Sequence, residues 1–97
     1  MCDGWGAFVD RVVKWRREAL PAQDCLGAEH KLEDEMCEFM EYPCAEELAD
    51  VLVCLINYAD LRFGLDDFLE VANEKMGVNE RRKWNMNQDG SAQHVDE

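Results

Sequence analysis

The sequence predicts an all-α domain, a bundle of four helices whose core is completed by oligomerisation. Three observations carry this reading. Apolar residues recur at helical spacing in four successive stretches, and no stretch shows the strict alternation of a half-buried strand. The breaks between stretches fall at Pro21, Pro43 and Gly64, short connections that favour antiparallel neighbours.

Helix one covers residues from about 5 to 20, with Trp5, Phe8, Val9, Val12 and Trp15 on its stripe, and stops before Pro21. Both tryptophans are expected in the core. Helix two runs from Ala22 to Tyr42, with Cys25, Leu32, Met36, Phe39 and Met40 on one stripe, Gly27 as its weak point and Pro43 as its end. Helix three, Ala45 to Phe63, is the most hydrophobic: Leu48, Val51, Leu52, Val53, Leu55, Ile56, Tyr58 and Leu61 leave almost no polar face. It is therefore central, or lies between subunits. Gly64 suits a C-cap, and Asp66 can cap helix four, whose stripe of Phe68, Leu69, Val71, Ala72 and Met76 leads to Trp84. Residues 1–84 are expected to form a single all-α domain. Residues 85–97 are a polar tail with an Asp89-Gly90 turn signal, mobile unless a ligand or neighbour orders it.

At 97 residues the chain buries a small fraction of its surface, so help from a second copy, as a dimer or tetramer, is expected. The formal charge of -12 argues against nucleic acid and membrane surfaces as partners, because both are anionic, and it means that an anionic ligand needs metal. Five cysteines without a C-x-x-C pair suit neither a disulfide framework nor a zinc knuckle. They read as reduced thiols, with Cys37 and Cys54 as small core residues. No signal peptide or spanning segment is seen, so the chain is expected in the cytoplasm.

Glu35 and Glu38 stand three apart on helix two, about 60° from each other around its axis, beside the apolar stripe. Glu47 and Asp50 repeat the spacing on helix three. With 22 acids in the chain, roughly five such pairs arise from composition alone, so the weight falls on their placement. Asp50 lies inside the run Leu48-Ala49-Asp50-Val51-Leu52, where a carboxylate needs a partner or a cation to offset its desolvation. If helices two and three are antiparallel, the pairs face each other as an oxygen cage suited to magnesium or manganese. Lys75, Asn79, Arg81, Arg82 and Lys83 concentrate near the end of helix four, where they complement the helix dipole or bind phosphate.

The stretch from Lys31 to Phe39, followed by Glu46-Glu47-Leu48-Ala49-Asp50-Val51-Leu52, resembles the E-x-x-E and E-x-x-D signature of MazG-like pyrophosphohydrolases. Lys75, Asn79, Arg82 and Trp84, then Asp89-Gly90 and His94, resemble the ending of the phage-type branch, which is associated with dATP and dGTP hydrolysis. The resemblance implies a four-helix MazG-like bundle that converts a nucleoside triphosphate to monophosphate and pyrophosphate. It implies Glu35, Glu38, Glu47 and Asp50 as ligands of two or three magnesium ions, with manganese able to substitute. Glu35 or Glu38 would also orient or deprotonate the attacking water. Lys31, Lys75, Asn79, Arg82 and Lys83 would contact the substrate, Trp84 would either stack on its base or anchor the core or an interface, and His94 would either close over a bound nucleotide or stay apart from it in the tail. Two positions depart from the family pattern: Asp34-Glu35 stands for a Glu-Glu pair, and Asn57 replaces a late acid of helix three, where its carbonyl can reach metal or sugar. The rival readings are a relative acting on dCTP, dUTP or a damaged nucleotide, and a non-catalytic acidic helical interaction module.

Overall fold

The computed structural model describes residues 4–95; Cys2 and the last two residues of the tail lie outside them. Four helices follow in order: α1 (Gly4–Ala19), α2 (Cys25–Glu41), α3 (Ala45–Phe63) and α4 (Leu65–Arg81). Two short strands, β1 (Trp84–Met86) and β2 (Ala92–His94), close the chain as an antiparallel hairpin. α3 is the central element: α1, α2 and α4 each pack against it, while α2 and α4 do not touch. No helix among the described residues is long and apolar enough to cross a membrane.

The apolar patterning places the helices, and local chemistry trims their ends. α2 starts three residues later than expected, because Asp24 accepts the Gly27 amide at 2.8 Å and caps the helix. Gly27 thereby falls in the first turn, where a β-carbon would stand 3.2 Å from the Asp24 carboxylate. A side chain at this position would press on the capping carboxylate. Gly64, at φ +82°, ends α3 and opens α4 by itself. Asp66 sits inside the first turn of α4 instead of capping it. The long reach of Asp60 serves that end, its Oδ1 accepting the Leu65 amide at 3.3 Å.

The core of buried residues joins Val9, Val12 and Val13 of α1 to Ile56 of α3, with Phe8, Leu52, Val53 and Leu65 packed around it. Arg16 continues the buried line of α1. Its guanidinium donates to the Asn57 carbonyl at 3.2 Å and to Asp60 Oδ2 at 2.9 Å, tying α1 to α3. Several expected core residues are exposed instead: Trp5, Trp15, Met36, Cys37 and Met40, the last at 72%. The buried line of α2 holds only Ala28 and Glu35, and α4 buries no residue at all. A single copy therefore covers only part of its apolar stripes. The radius of gyration, 16.0 Å, exceeds the roughly 12.5 Å of a closed globule of this length.

Helix four stops at Arg81, short of Trp84, and residues expected as a polar tail form the hairpin. Asn87 and Ser91 close the turn through backbone and side-chain bonds, Asp89 accepts from Ser91, and Gly90 takes φ +89°. Trp84 anchors the hairpin by donating to the Asn79 carbonyl at 2.9 Å and by an edge-to-face contact with His94. Both strands are exposed throughout and only three residues long, too short for alternation to mark them in the sequence.

Candidate metal centre

The short connection at Tyr42–Cys44 folds α3 back along α2, so the second half of α2 faces the first half of α3. This brings Glu35, Glu47 and Asp50 together, each offering a carboxylate oxygen within 4.8 Å of the others. Glu35 is 6% exposed, and its Oε2 has no hydrogen-bond partner among the described residues; the same holds for Glu47 Oε2. Buried carboxylate oxygens without a donor carry their full desolvation cost. A hard divalent cation is the occupant such an oxygen set suits, so the residues present fit the metal that the sequence implies.

Lys31, one turn before Glu35 on α2, places Nζ 2.8 Å from Glu35 Oε1. That hydrogen bond holds the Glu35 carboxyl below the usual carboxylate range and raises Lys31 in turn. Glu38, three residues on from Glu35 along α2, is exposed. The neighbouring Glu35 carboxylate, by accepting a hydrogen bond from its protonated form and by its negative charge, pushes Glu38 above the ordinary value, with Glu47 adding to the effect.

A cavity of about 230 Å3 adjoins the carboxylates, with Lys31, Glu35, Asp50 and Asn57 in its wall. Asn57 is 5% exposed, and its Oδ1 has no hydrogen-bond partner among the described residues. The remaining wall comes from the end of α1, the α1–α2 turn and α3, including Trp15, Gln23 and Cys54. Trp15, expected in the core, is half-exposed on this wall. Cys54 is partly buried, and burial pushes its thiol up.

The basic group of α4 stands apart from this arrangement within one chain. Lys75, Arg82 and Lys83 are exposed, Asn79 is half-buried, and the helix that carries them does not touch α2. The Asn79 carbonyl is taken by Trp84, and the Lys83 carbonyl accepts the Val95 amide. Two features escaped the sequence reading: the buried Arg16–Asp60 pair, and the use of Trp15 and Gln23 as cavity wall. A signal for the first exists, since Arg16 follows Val12 and Val13 at helical spacing, a charge on an apolar stripe like Asp50.

No protein-family profile matches the chain. A curated "dATP/dGTP diphosphohydrolase" of Salmonella phage PMBT28 is 40% identical over 92 residues, a match that takes in 92% of this chain and 31% of the relative. The chain thus spans about a third of the length of that curated relative. Among solved structures, a cyanophage S-2L MazG-like pyrophosphohydrolase, bound to dGDP and three catalytic Mn2+ ions per active site, superposes with a TM-score of 0.74 at 25% identity. That likeness covers 95% of this chain and 93% of the other. The helical order and the structural likeness together show that the chain has the MazG-like all-α fold.

Proposed function

We propose that the chain is a metal-dependent nucleoside triphosphate pyrophosphohydrolase that releases pyrophosphate from dGTP or dATP. The observation that carries this reading is the convergence of Glu35, Glu47 and Asp50 with two buried, partnerless oxygens. Glu35, Glu38, Glu47 and Asp50 hold two or three divalent ions, magnesium with manganese as a substitute. Once bound, such ions neutralise phosphate charge and lower the pKa of a coordinated water. The substrate class follows from the phage relatives, one named for dATP and dGTP, the other bound to dGDP.

The chain's own groups divide the work. Lys31 holds Glu35 ionised and in place through its 2.8 Å contact. Glu38, exposed beside Glu35 and reluctant to ionise, is the carboxylate suited to take a proton from the water attacking the α-phosphorus. Lys75, Arg82 and Lys83 supply the positive charge that stabilises departing pyrophosphate, with Asn79 and Trp84 beside them. They do so across a subunit boundary, because within one chain α4 does not touch α2. A homo-oligomer, dimer or tetramer, therefore forms the complete site. Its free cysteines, Cys25, Cys37, Cys44 and Cys54 among the described residues, suit a reducing cytoplasm.

The direct test is a panel of nucleoside triphosphates with magnesium or manganese, run in ¹⁸O-water. Pyrophosphate release with label in the monophosphate is expected, and none from diphosphates. Label in orthophosphate with a diphosphate product would mean another kind of hydrolase, and inertness toward the whole panel would leave an acidic interaction module.

A further inference from the structure

Cys54 takes no part in the chemistry proposed for the carboxylates, yet it shares their cavity. Asp50, Cys54 and Asn57 are spaced i, i+4 and i+7 on α3, so one face of that helix presents a carboxylate, a thiol and an amide in a row. All three line the same cavity, to which α2 contributes Lys31 and Glu35. The row starts at the cage and leads away from it. Asp50 belongs to the three carboxylates that meet within 4.8 Å, and the thiol stands outside that set.

The surroundings of the thiol are charged: Glu35, Lys31 and Asp50 all act on it electrostatically. Lys31 is engaged by Glu35 Oε1 at 2.8 Å, and Glu35 Oε2 is assigned to the cage. What the wall still offers a cation is the second oxygen of Asp50, the Cys54 sulfur and Asn57 Oδ1. Asn57 is more than nine-tenths buried, and its Oδ1 has no hydrogen-bond partner among the described residues. A cation beside it satisfies that oxygen. This set of two oxygens and a sulfur differs in kind from the all-oxygen cage. Magnesium and manganese prefer carboxylate and water, whereas thiolate selects borderline and soft ions such as zinc and cadmium.

We propose that Cys54, with Asp50 and Asn57, forms a separate cation position on the cavity side of the cage, taken by a thiophilic divalent ion, and that this ion inhibits the enzyme. The assignment rests on the reading of the carboxylates as a metal centre and adds to it an ion that the centre binds but does not work with. Binding replaces the S–H bond of Cys54 by a sulfur–metal bond, and the proton passes to solvent. No oxidant or reductant takes part. Because Asp50 is common to both positions, an ion held at the thiol draws that carboxylate away from manganese. Inhibition follows from the shared ligand, and the thiol decides which ions cause it.

Cadmium is the probe, because its bond to a thiolate has an ultraviolet charge-transfer band that cadmium on carboxylate lacks. It is titrated into the full metal-free chain carrying serine at Cys2, Cys25, Cys37 and Cys44, which keeps Cys54 as the one thiol. The band should appear and saturate at a single cadmium per chain. Adding Asp50→Asn or Asn57→Leu to that variant should each weaken cadmium by about tenfold or more, the scale on which loss of a supporting group weakens a metal site. Circular dichroism checks that the helices persist. In the otherwise natural chain, Cys54→Ser should leave manganese binding by calorimetry unchanged, while inhibition of manganese-supported pyrophosphate release should need about tenfold more cadmium. A cadmium affinity that neither Asp50→Asn nor Asn57→Leu moves, or cadmium inhibition undiminished in Cys54→Ser, would overturn the assignment and leave the carboxylate centre intact. A wild type that shows the cadmium–thiolate band but binds no manganese would remove the carboxylate centre and leave the thiol position standing.

Discussion

Lys31 Nζ holds Glu35 Oε1 at 2.8 Å while Glu35 Oε2 is buried with no hydrogen-bond partner among the described residues, so one carboxylate faces a lysine on one side and the cage on the other. Lysine and metal thus compete for the charge of Glu35. Lys31→Met should lower the stability of the metal-free protein by about 1 kcal/mol, a small value because the lysine is more than half exposed. The stabilisation gained on adding manganese should grow. Thermal melts with and without metal read both effects, and an unchanged metal-induced shift would show that Lys31 does not bear on the cage.

Glu35 and Glu38 should respond to neutralisation in opposite directions. The folded-state pKa of Glu35 lies below its ordinary 4.5, so its ionised form stabilises the fold above that pH, and the benefit is lost as pH falls through the depressed value. The folded-state pKa of Glu38 lies above 4.5, so its ionisation costs stability, a cost absent below 4.5 and complete once pH exceeds the raised value. In metal-free protein at pH 7, Glu35→Gln should therefore lower Tm and Glu38→Gln should raise it. Both differences should shrink toward zero in acid, which a series of melts from pH 3.5 to 7 would show.

Activity should separate from stability at the same residues. Glu38→Gln and Asp50→Asn are each expected to reduce kcat by about a hundredfold or more with helical circular dichroism unchanged, since each removes a ligand charge. Isothermal titration with manganese should show weakened binding in both. Turnover near that of wild type in both variants would remove these residues from the metal site.

Arg16 offers a test away from the cage. Its guanidinium is buried against Asp60, and Arg17, at 3.6 Å from the same oxygen, is too exposed to replace it. Arg16→Met leaves a largely buried carboxylate whose remaining bond is to the Leu65 amide. A loss of about 3 kcal/mol is expected in urea unfolding. The double variant with Asp60→Leu should recover part of that loss, because the orphaned charge is then gone.

Sedimentation at micromolar concentration should find a species of at least twice the 11.2 kDa chain mass. Leu48, Leu55, Phe63, Val71 and Met76 are exposed apolar residues of α3 and α4 in one copy. At roughly 25 cal/mol per Å² of apolar surface, covering several of them yields several kcal/mol, comparable with the whole stability of a domain this small. A fully active monomer would refute both the oligomer and the shared site.

The sequence was most legible where one signal dominates. α3 begins and ends at the residues expected, Ala45 and Phe63, because Pro43 and Gly64 bracket an unbroken apolar run. The acidic pairs were legible because Asp50 interrupts that run, and the structure joins three of the four residues in one cage with Glu38 at the rim. Periodicity did not tell which part of a stripe is covered. Trp15, Met36 and Met40 sit on apolar stripes as surely as Val12 and Val13, yet burial depends on neighbours that a single helix pattern does not encode. The hairpin escaped for a related reason: turn bonds from Asn87, Asp89 and Ser91 and the Trp84 anchor hold it, not a buried face.

The lack of any buried residue in α4 also sets the order in which the protein opens. A helix fastened at its start by Gly64, Leu65 and the Phe63–Phe68 stack, with nothing enclosed beyond, has little to hold its far turns closed when the chain is alone. Its backbone amides belong to a cooperative unit of lower opening free energy than α1 and α3. Deuterium should then enter Val71–Arg81 early in dilute protein, while Val9–Val13 and Ile56–Ala59 resist until global unfolding. Concentrating the protein should slow uptake in the first segment and leave the second unchanged, so the exchange pattern alone marks out which amides association protects.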